Sequence, residues 1–450
     1  MNATLNFPAK GTFARGVHPA DGKALAADRA IEVLPTVAQI VIALQQHTGA
    51  PCQAVVTPKQ QIRLGEKIGD AEAFISAPVH ASVNGVVGRQ SVVTLPNARH
   101  VKMIPIASEG EQLEGRALYE EILGGEWPLT KLDEWTPEAI AKRVRDAGIV
   151  GLGGAAFPTS VKLVRNEKKP VDVLLLNGCE CEPYLTADYR IMIEAAPGII
   201  AGAQITAKAC GAKDLVVAIE DNKPEAIAAM KKAAAGTPVR IISVETKYPM
   251  GGEKQTVLAV TGRTIPTGGL PLDVGVVVIN VGTALAVARA ILRDGNLTHR
   301  VVTVTGAGVR TPKNLLVPVG ASYRALIECC GGLLPNAARI ISGGPMMGFT
   351  LGSLDVPVTK GTSGILVLND QDVRTSEETQ CIRCGRCVDV CPLNLIPTRL
   401  ALAARKKEWD VVKRYHLMAC MECGCCAYAC PAGIPLVQLI RMGKVQMPRE

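Results

Sequence analysis

A chain of 450 residues is long for one hydrophobic core and sets an expectation of about three domains. Its hydrophobic content of 48% with only 3% aromatics describes a globular chain packed mainly by Val, Leu, Ile and Ala. The net charge of +8 is scattered rather than striped with aromatics, which argues against a nucleic-acid partner. Met1 to Gly11 lacks the apolar core of a secretion signal, and the most apolar window, 274–292, is broken by Asn280 and Arg289. The chain is therefore expected to carry no transmembrane segment of its own. None of the six His residues shows a paired metal spacing.

Residues up to about 35 read as irregular. Short alternating segments follow at 53–56, 60–64, 73–75 and 83–87, punctuated by Gly and Pro, and predict a small β barrel or sandwich. The stretches Gly65-Glu-Lys-Ile-Gly69 and Ala77-Pro-Val-His-Ala-Ser-Val-Asn-Gly85 resemble hairpins of the biotinyl/lipoyl carrier fold. The corresponding tip, near Glu72 and Ala73, offers no Lys to carry a prosthetic group. A structural barrel without a swinging arm is expected.

From Thr136-Pro-Glu138 the period changes to that of a helix with Pro in its first turn, ended by Gly148. Beyond it, strand and helix patterns alternate at 171–176, 215–219, 224–232, 239–244, 274–278 and 284–292. That alternation predicts an α/β layer domain over 125–300, preceded by an N-terminal region over 1–124. Within it, Gly151-Leu-Gly153-Gly154-Ala-Ala156 superficially matches a dinucleotide fingerprint. The fingerprint requires a strand before the loop, whereas here a helix precedes it. Glycines can nonetheless let backbone N–H groups approach a flat ring or a phosphate closely. A strand at 301–306 and a helix at 323–329 then predict a small β-grasp-like module to about 360.

The last segment, 361–450, carries the strongest signal. Cys381-x2-Cys384-x2-Cys387-x3-Cys391-Pro392 is repeated as Cys420-x2-Cys423-x2-Cys426-x3-Cys430-Pro431. This is the run by which bacterial ferredoxins hold cubane clusters, with the fourth Cys reaching across to the other cluster. Cys381, Cys384, Cys387 and Cys430 are therefore assigned to one [4Fe-4S] cluster, and Cys420, Cys423, Cys426 and Cys391 to a second. A pair of zinc sites gives no reason for the Pro after the fourth Cys, and a disulfide scaffold suits a short secreted chain. Cys425 falls outside the spacing and is read as a non-ligand. The spacer 397–417, rich in Ala, Leu, Lys and Arg, predicts a helical ferredoxin in a reducing intracellular compartment.

Gly153-Gly-Ala-Ala-Phe-Pro-Thr159 with Lys162, followed by Asn177-Gly-Cys-Glu-Cys-Glu-Pro183, resembles the flavin site of the NADH-binding subunit of respiratory complex I. Taken whole, the chain is similar to the RnfC family. Its members are components of the Rnf complexes, membrane-associated, ion-translocating oxidoreductases that couple ferredoxin and NAD. The resemblance implies a multidomain α/β protein: a barrel-sandwich module, a Rossmann-like FMN and NAD(H) domain, an SLBB-like β-grasp module and a dicluster ferredoxin. It implies FMN enclosed by Gly151, Gly153, Gly154 and Lys162, with Asn177 and Glu180 on the ribityl chain and Asn280 and Thr283 on the phosphate side. NAD(H) would be met by Phe157, Glu182 and Glu253. The chain departs from the complex I pattern at Cys179, Cys181 and Gly252. No catalytic side chain is assigned. The implied role is an electron relay from NAD(H) through FMN and both clusters to other Rnf-type membrane subunits, including an iron–sulfur subunit, and indirectly to ferredoxin or flavodoxin. The implied place is the cytoplasmic face of the plasma membrane, held peripherally. A soluble cobalamin reductase of the propanediol-utilisation type, or an iron–sulfur scaffold without flavin, are the alternatives.

Overall fold

The computed structural model describes residues 10–373 and 377–448. Its centre is a five-stranded, wholly parallel sheet in the order Lys10–Gly11, Val239–Val244, Asp214–Glu220, Val173–Asn177, Val276–Asn280. Parallel strands are covered on both faces, which is why they read as continuous Val, Ile and Leu runs. Alternate residues serve two cores. Leu174, Leu176, Val217, Ile219 and Ile279 meet the helices Ala196–Cys210 and Val281–Leu292, while Val173, Leu175, Val216 and Val278 meet the helix Glu253–Thr261. The first two helices approach so closely that a Cβ on Gly202 would collide with the Ala284 carbonyl.

Strand order fixes where a ligand can sit. The chain moves outward in one direction from Val173–Asn177, then returns to place Val276–Asn280 on its other side. That reversal is a topological switch point, and Asn177 and Asn280, which pair in register, stand at the carboxyl ends of the two strands that flank it.

The barrel module packs two small sheets, one built on Gln39–Ala43 and His100–Ser108 and the other on Lys67–Asp70, around Ile40, Ile42, Ile68, Ile104 and Ile106. The expected strand at 73–75 is absent: these residues form a bend that leaves Phe74 66% exposed. A fourth, mixed sheet of six strands holds the β-grasp module, with the helix Tyr323–Cys329 capped by Ser322. The strand Gly364–Asn369 lies inside this sheet, so the expected boundary at 360 falls short.

Residues 10–35, expected to be irregular, behave as a strap. Lys10–Gly11 extends the parallel sheet, and Ile31–Val33 forms the edge of the β-grasp sheet beside Lys313–Pro318. Strands of two and three residues carry no periodicity, and their pairing partners lie hundreds of residues away, so no local pattern marks them. The spacer 397–417 also differs from expectation. It forms two helices, Pro397–Arg405 and Trp409–Arg414, broken at Lys407 with φ +58°. The break turns Leu400, Ala401 and Ala404 from the first helix and Val412 from the second onto one core with Ile440.

Candidate functional site: a glycine loop at the switch point and two sets of four thiolates

The loop 151–157 is closed by a bridge between Val150 and Pro158 and by the Gly151 N–H donating to the Phe157 carbonyl at 2.9 Å. Gly153 and Gly154 are exposed at its tip. Gly154 adopts φ +105°, which a side chain would resist, and no atom lies within 4 Å of where its Cβ would be. The cradle is therefore bare and open. Its floor is fixed from the switch point, where the Leu152 N–H donates to Thr283 Oγ1 at 2.9 Å. Asn280 caps the Val281–Leu292 helix by accepting from the Gly282 and Thr283 N–H groups, and its own Nδ2 donates to Asp188 Oδ2 at 2.6 Å. The Lys162 ammonium donates to Glu253 Oε1 at 2.9 Å and to the Val278 carbonyl at 3.0 Å.

Asn177 accepts from the Cys179 N–H and donates to the Gly251 carbonyl at 2.8 Å. Glu180, at φ +43°, spends both carboxylate oxygens on the Asp188 and Tyr189 N–H groups, capping the helix Ala187–Glu194. The structure thus gathers Gly151, Gly153, Gly154, Lys162, Asn280, Thr283 and Glu253 around one switch point, with Asn177 at the next strand end and Glu180 reaching it through Asp188. Phe157 is half-buried and enters this network through its backbone. Glu182 turns elsewhere. Its Oε1 accepts from the Met346 and Met347 N–H groups at 2.7 and 3.0 Å, and Tyr248 donates to its Oε2 at 3.3 Å.

Several charged groups that support this site escape a sequence reading. Lys23, from the strap, donates through its Nζ to the carbonyls of Glu180, Glu182 and Leu185 at 2.9, 3.0 and 2.5 Å. Burial lowers its pKa. Arg300, only 6% exposed, donates to the Leu152 carbonyl at 3.5 Å, and burial brings it down to about 10 against the opposing pull of Asp188. Desolvation, then the charge of Glu180, pushes the Asp188 carboxyl above the ordinary carboxylate range. Lys360, 1% exposed with no acidic partner among the described residues, donates to the Pro78 and Gly148 carbonyls at 2.6 Å each and is brought down to about 7 by burial. Barrel, flavin-loop helix and β-grasp tail meet on that one ammonium. Asp188 could have been sought as an acid in the first turn of a helix; Lys23, Arg300 and Lys360 have no local signal.

The eight cysteines sort into two sets. Cys391, Cys420, Cys423 and Cys426 line one cavity, with Cys425 also in its lining and the rest of the wall largely apolar, including Leu400, Val437 and Ile440. Burial pushes the Cys387 thiol up, and its electrostatic neighbours are Cys430, Cys381 and Cys384. Each fourth cysteine therefore keeps company with the other motif's first three. Among the described residues no three His, Cys, Asp or Glu side chains gather tightly enough for a lone metal ion. Four sulfurs around an apolar cavity are a donor set that fits a cubane. The two loops share a backbone: φ is +57° at Arg383 and +61° at Glu422, then +80° at Gly385 and +81° at Gly424. Cys425, fully buried, packs with Val17, Tyr248, Cys423 and the half-buried Cys181.

The inner set is docked on the parallel-sheet domain. Tyr248 donates to the Cys423 carbonyl at 2.7 Å, and Gln255 to that of Pro392 at 3.4 Å. Gly251 connects the two centres, since its carbonyl receives Asn177 while its N–H donates to Cys181 Sγ at 3.2 Å. The strap adds a third tie, from the Gly16 N–H to the Val390 carbonyl at 3.2 Å.

A parallel-sheet domain with a bare glycine loop at its switch point, wired to two sets of four cysteines, defines a flavin and iron–sulfur electron-transfer protein. Comparison with known families agrees segment by segment. The RnfC barrel sandwich hybrid domain matches residues 11–111, the Nuo51 FMN-binding domain 144–289, the SLBB domain 301–350 and the 4Fe-4S dicluster domain 380–434. The chain is 43% identical to the RnfC-type component of the proton-translocating ferredoxin:NAD(+) oxidoreductase complex of Clostridium ljungdahlii, over 96% of this chain and 93% of that one. It is 40% identical to the counterpart in the Na(+)-translocating complex of Acetobacterium woodii, over 96% of both chains. With the counterpart in the ion-translocating oxidoreductase complex of Rhodobacter capsulatus the identity is 41%, over 98% of this chain and 84% of that one. The chain belongs to the RnfC family of ion-translocating oxidoreductase components.

Proposed function

We propose that this chain is the NAD(H)-facing electron-relay subunit of an Rnf-type, ion-translocating ferredoxin:NAD oxidoreductase. The observation that carries the reading is the unbroken run of contacts from Asn177 through Gly251 and Cys181 to the inner thiolate set. Bound FMN would supply the exchange between two-electron hydride chemistry and one-electron transfer. Gly153 and Gly154 leave backbone N–H groups bare for it, Gly151 closes the loop through its bond to Phe157, Lys162 offers a positive charge, and Asn280 and Thr283 fix the loop beneath. Asn177 and Glu180 hold the adjoining strand end and helix start in place. Phe157, half-buried, and Glu253, paired with Lys162, are the residues from which NAD(H) contacts are expected. Glu182 serves a different role in this reading: it seats the 346–347 segment against Tyr248, and so positions the inner cluster. Cys391, Cys420, Cys423 and Cys426 hold that cluster, and Cys381, Cys384, Cys387 and Cys430 the outer one.

Ion transport is assigned to other membrane subunits, an iron–sulfur subunit among them, with this chain peripheral on their cytoplasmic side. Among the described residues no helix is long and apolar enough to cross a membrane. The test uses the full chain loaded with iron, sulfide and FMN. It should reduce ferricyanide with NADH and show two interacting cubane EPR signals on reduction. Retention of both clusters with no FMN bound and no NADH oxidation would reduce it to an iron–sulfur scaffold.

A further inference from the structure

The two cysteine loops are the same piece of backbone in two different surroundings. At the inner loop, Met421 is half-buried and its methyl meets Gly252, the Cys423 carbonyl receives Tyr248, Gly424 packs against the Met346 carbonyl, and Cys425 is fully buried. Position by position, the outer loop offers Ile382, Arg383, Cys384, Gly385 and Arg386. All five are exposed in succession. Ile382, the counterpart of Met421, is 67% exposed, and no atom lies within 4 Å of a Cβ placed on Gly385. The inner loop is covered by the domain from which electrons arrive; the outer loop has the same shape and no cover among the described residues.

Charge says what kind of cover fits. The inner loop's Glu422 is neutralised within the ferredoxin domain by Arg441 at 3.1 Å and Lys444 at 2.8 Å. At the equivalent outer position stands Arg383, and neither its guanidinium nor that of Arg386 has an ion-pair or hydrogen-bond partner among the described residues. Arg15 of the strap adds a third guanidinium, held over the same turn by donating to the Val388 carbonyl at 2.6 Å. The only carboxylate from Cys381 to Cys391 is Asp389. Three cations face outward around an exposed thiolate, with an isoleucine beside it.

The geometry points to this loop, Ile382 to Arg386 with Arg15, as the docking surface for an acidic one-electron carrier protein, seated on the outer cluster as the parallel-sheet domain is seated on the inner one. The inference rests on the electron-relay reading. One electron leaves the reduced outer cluster, the carrier's centre gains that electron, and no proton or bond is exchanged. Exposed charges at such a rim act chiefly on the association rate, and their effect fades with salt.

The test measures binding, not turnover, so it stands apart from the relay reading. The full chain with both clusters loaded is immobilised and offered a small, acidic two-cluster bacterial ferredoxin over a range of ionic strength, with cationic cytochrome c as contrast. Arg383→Glu combined with Arg386→Glu should slow ferredoxin association by about tenfold at low salt, and the gap should close as the Debye length drops below about 10 Å. Ile382→Ala should speed dissociation with little change in association. Unchanged iron content in each variant checks that the fold is intact. The proposal is overturned if the double variant binds ferredoxin as the parent does. It is equally overturned if cytochrome c is preferred, or if vesicles of phosphatidylglycerol capture the parent chain while ferredoxin does not. Loss of ferredoxin binding with NADH–ferricyanide activity intact separates failure of this surface from failure of the relay itself.

Discussion

The cluster segment and the glycine loop are built by opposite means. Each cysteine set takes three donors from seven consecutive residues and one from across a local pseudo-repeat, and the conformation is set by left-handed residues at fixed positions, Gly385 and Gly424 among them. The glycine loop contributes almost no side chain. It is held from outside by Thr283 on one segment, Arg300 on another, and Thr48 of the barrel, whose N–H donates to the Ala156 carbonyl at 3.1 Å. One site is specified by spacing, the other by tertiary burial of charge. A change in the first should therefore be drastic and confined, whereas a change in the second should spread.

The sharpest break in that contrast is Cys423→Ser. Removing one thiolate from the inner set should abolish that cubane and halve the iron bound per chain, while FMN binding persists. Iron analysis beside flavin fluorescence reads both at once; simultaneous loss of flavin would mean that the two sites are not independent.

Lys23→Met is the matching change on the other side. It strips the hydrogen-bond donor from three carbonyls in the 180–185 segment, each a buried acceptor whose orphaning carries a penalty of its own. A loss of about 3 kcal/mol in urea-unfolding stability is expected. Flavin retention should fall as well, because Glu180 sits on that segment, while iron content holds. A variant as stable as the parent would show that the strap does not support the site.

Asp188 distinguishes the two regions by pH. Desolvation and Glu180 raise its carboxyl pKa, so the folded chain keeps a proton there at pH values where the unfolded chain has lost it. Over that window the native state binds more protons, and stability falls as pH rises. Glu180, Asn280, Arg300 and Lys23 are the groups that face it, and the last three partly offset the rise. Asp188→Asn can still accept from Asn280 but carries no titrating proton. Its thermal midpoint should therefore decline less than the parent's between about pH 5 and about pH 7. Parallel profiles would remove Asp188 as the responsible group.

The same contrast governs what could be read from residues alone. The two cysteine runs, the helix from Pro137 and the strand patterns of the parallel sheet are local, so spacing and periodicity carried them. The placing of Cys391 and Cys430 each beside the other motif's first three cysteines was legible because it belongs to the motif. Lys23, Arg300 and Lys360 were not, because a buried cation is defined by the carbonyls that surround it, and those come largely from segments 60 to 282 residues distant. Glu182 illustrates the reverse difficulty. The resemblance implied a nucleotide contact there, and the backbone turn sends its carboxylate to Met346, Met347 and Tyr248.

Tyr248 is where the two modes of construction touch, and it gives the smallest expected effect. Its hydroxyl donates at 2.7 Å to the Cys423 carbonyl and lies 3.3 Å from Glu182, so a single O–H joins the flavin domain, the β-grasp loop and the inner cysteine loop. Tyr248→Phe keeps the ring packed against Val17, Cys423 and Cys425 and removes only that donor. A loss of about 1 kcal/mol in global stability follows from one buried hydrogen bond. Iron and flavin contents should both be unchanged. What should move is the reduction potential of the inner cluster, because a polar group aimed at its loop is among the levers that set cluster potentials. Redox titration by EPR separates the two cubanes. A shift confined to the inner one would place Tyr248 at the electrical contact between the regions, and identical potentials in parent and variant would leave it as packing alone.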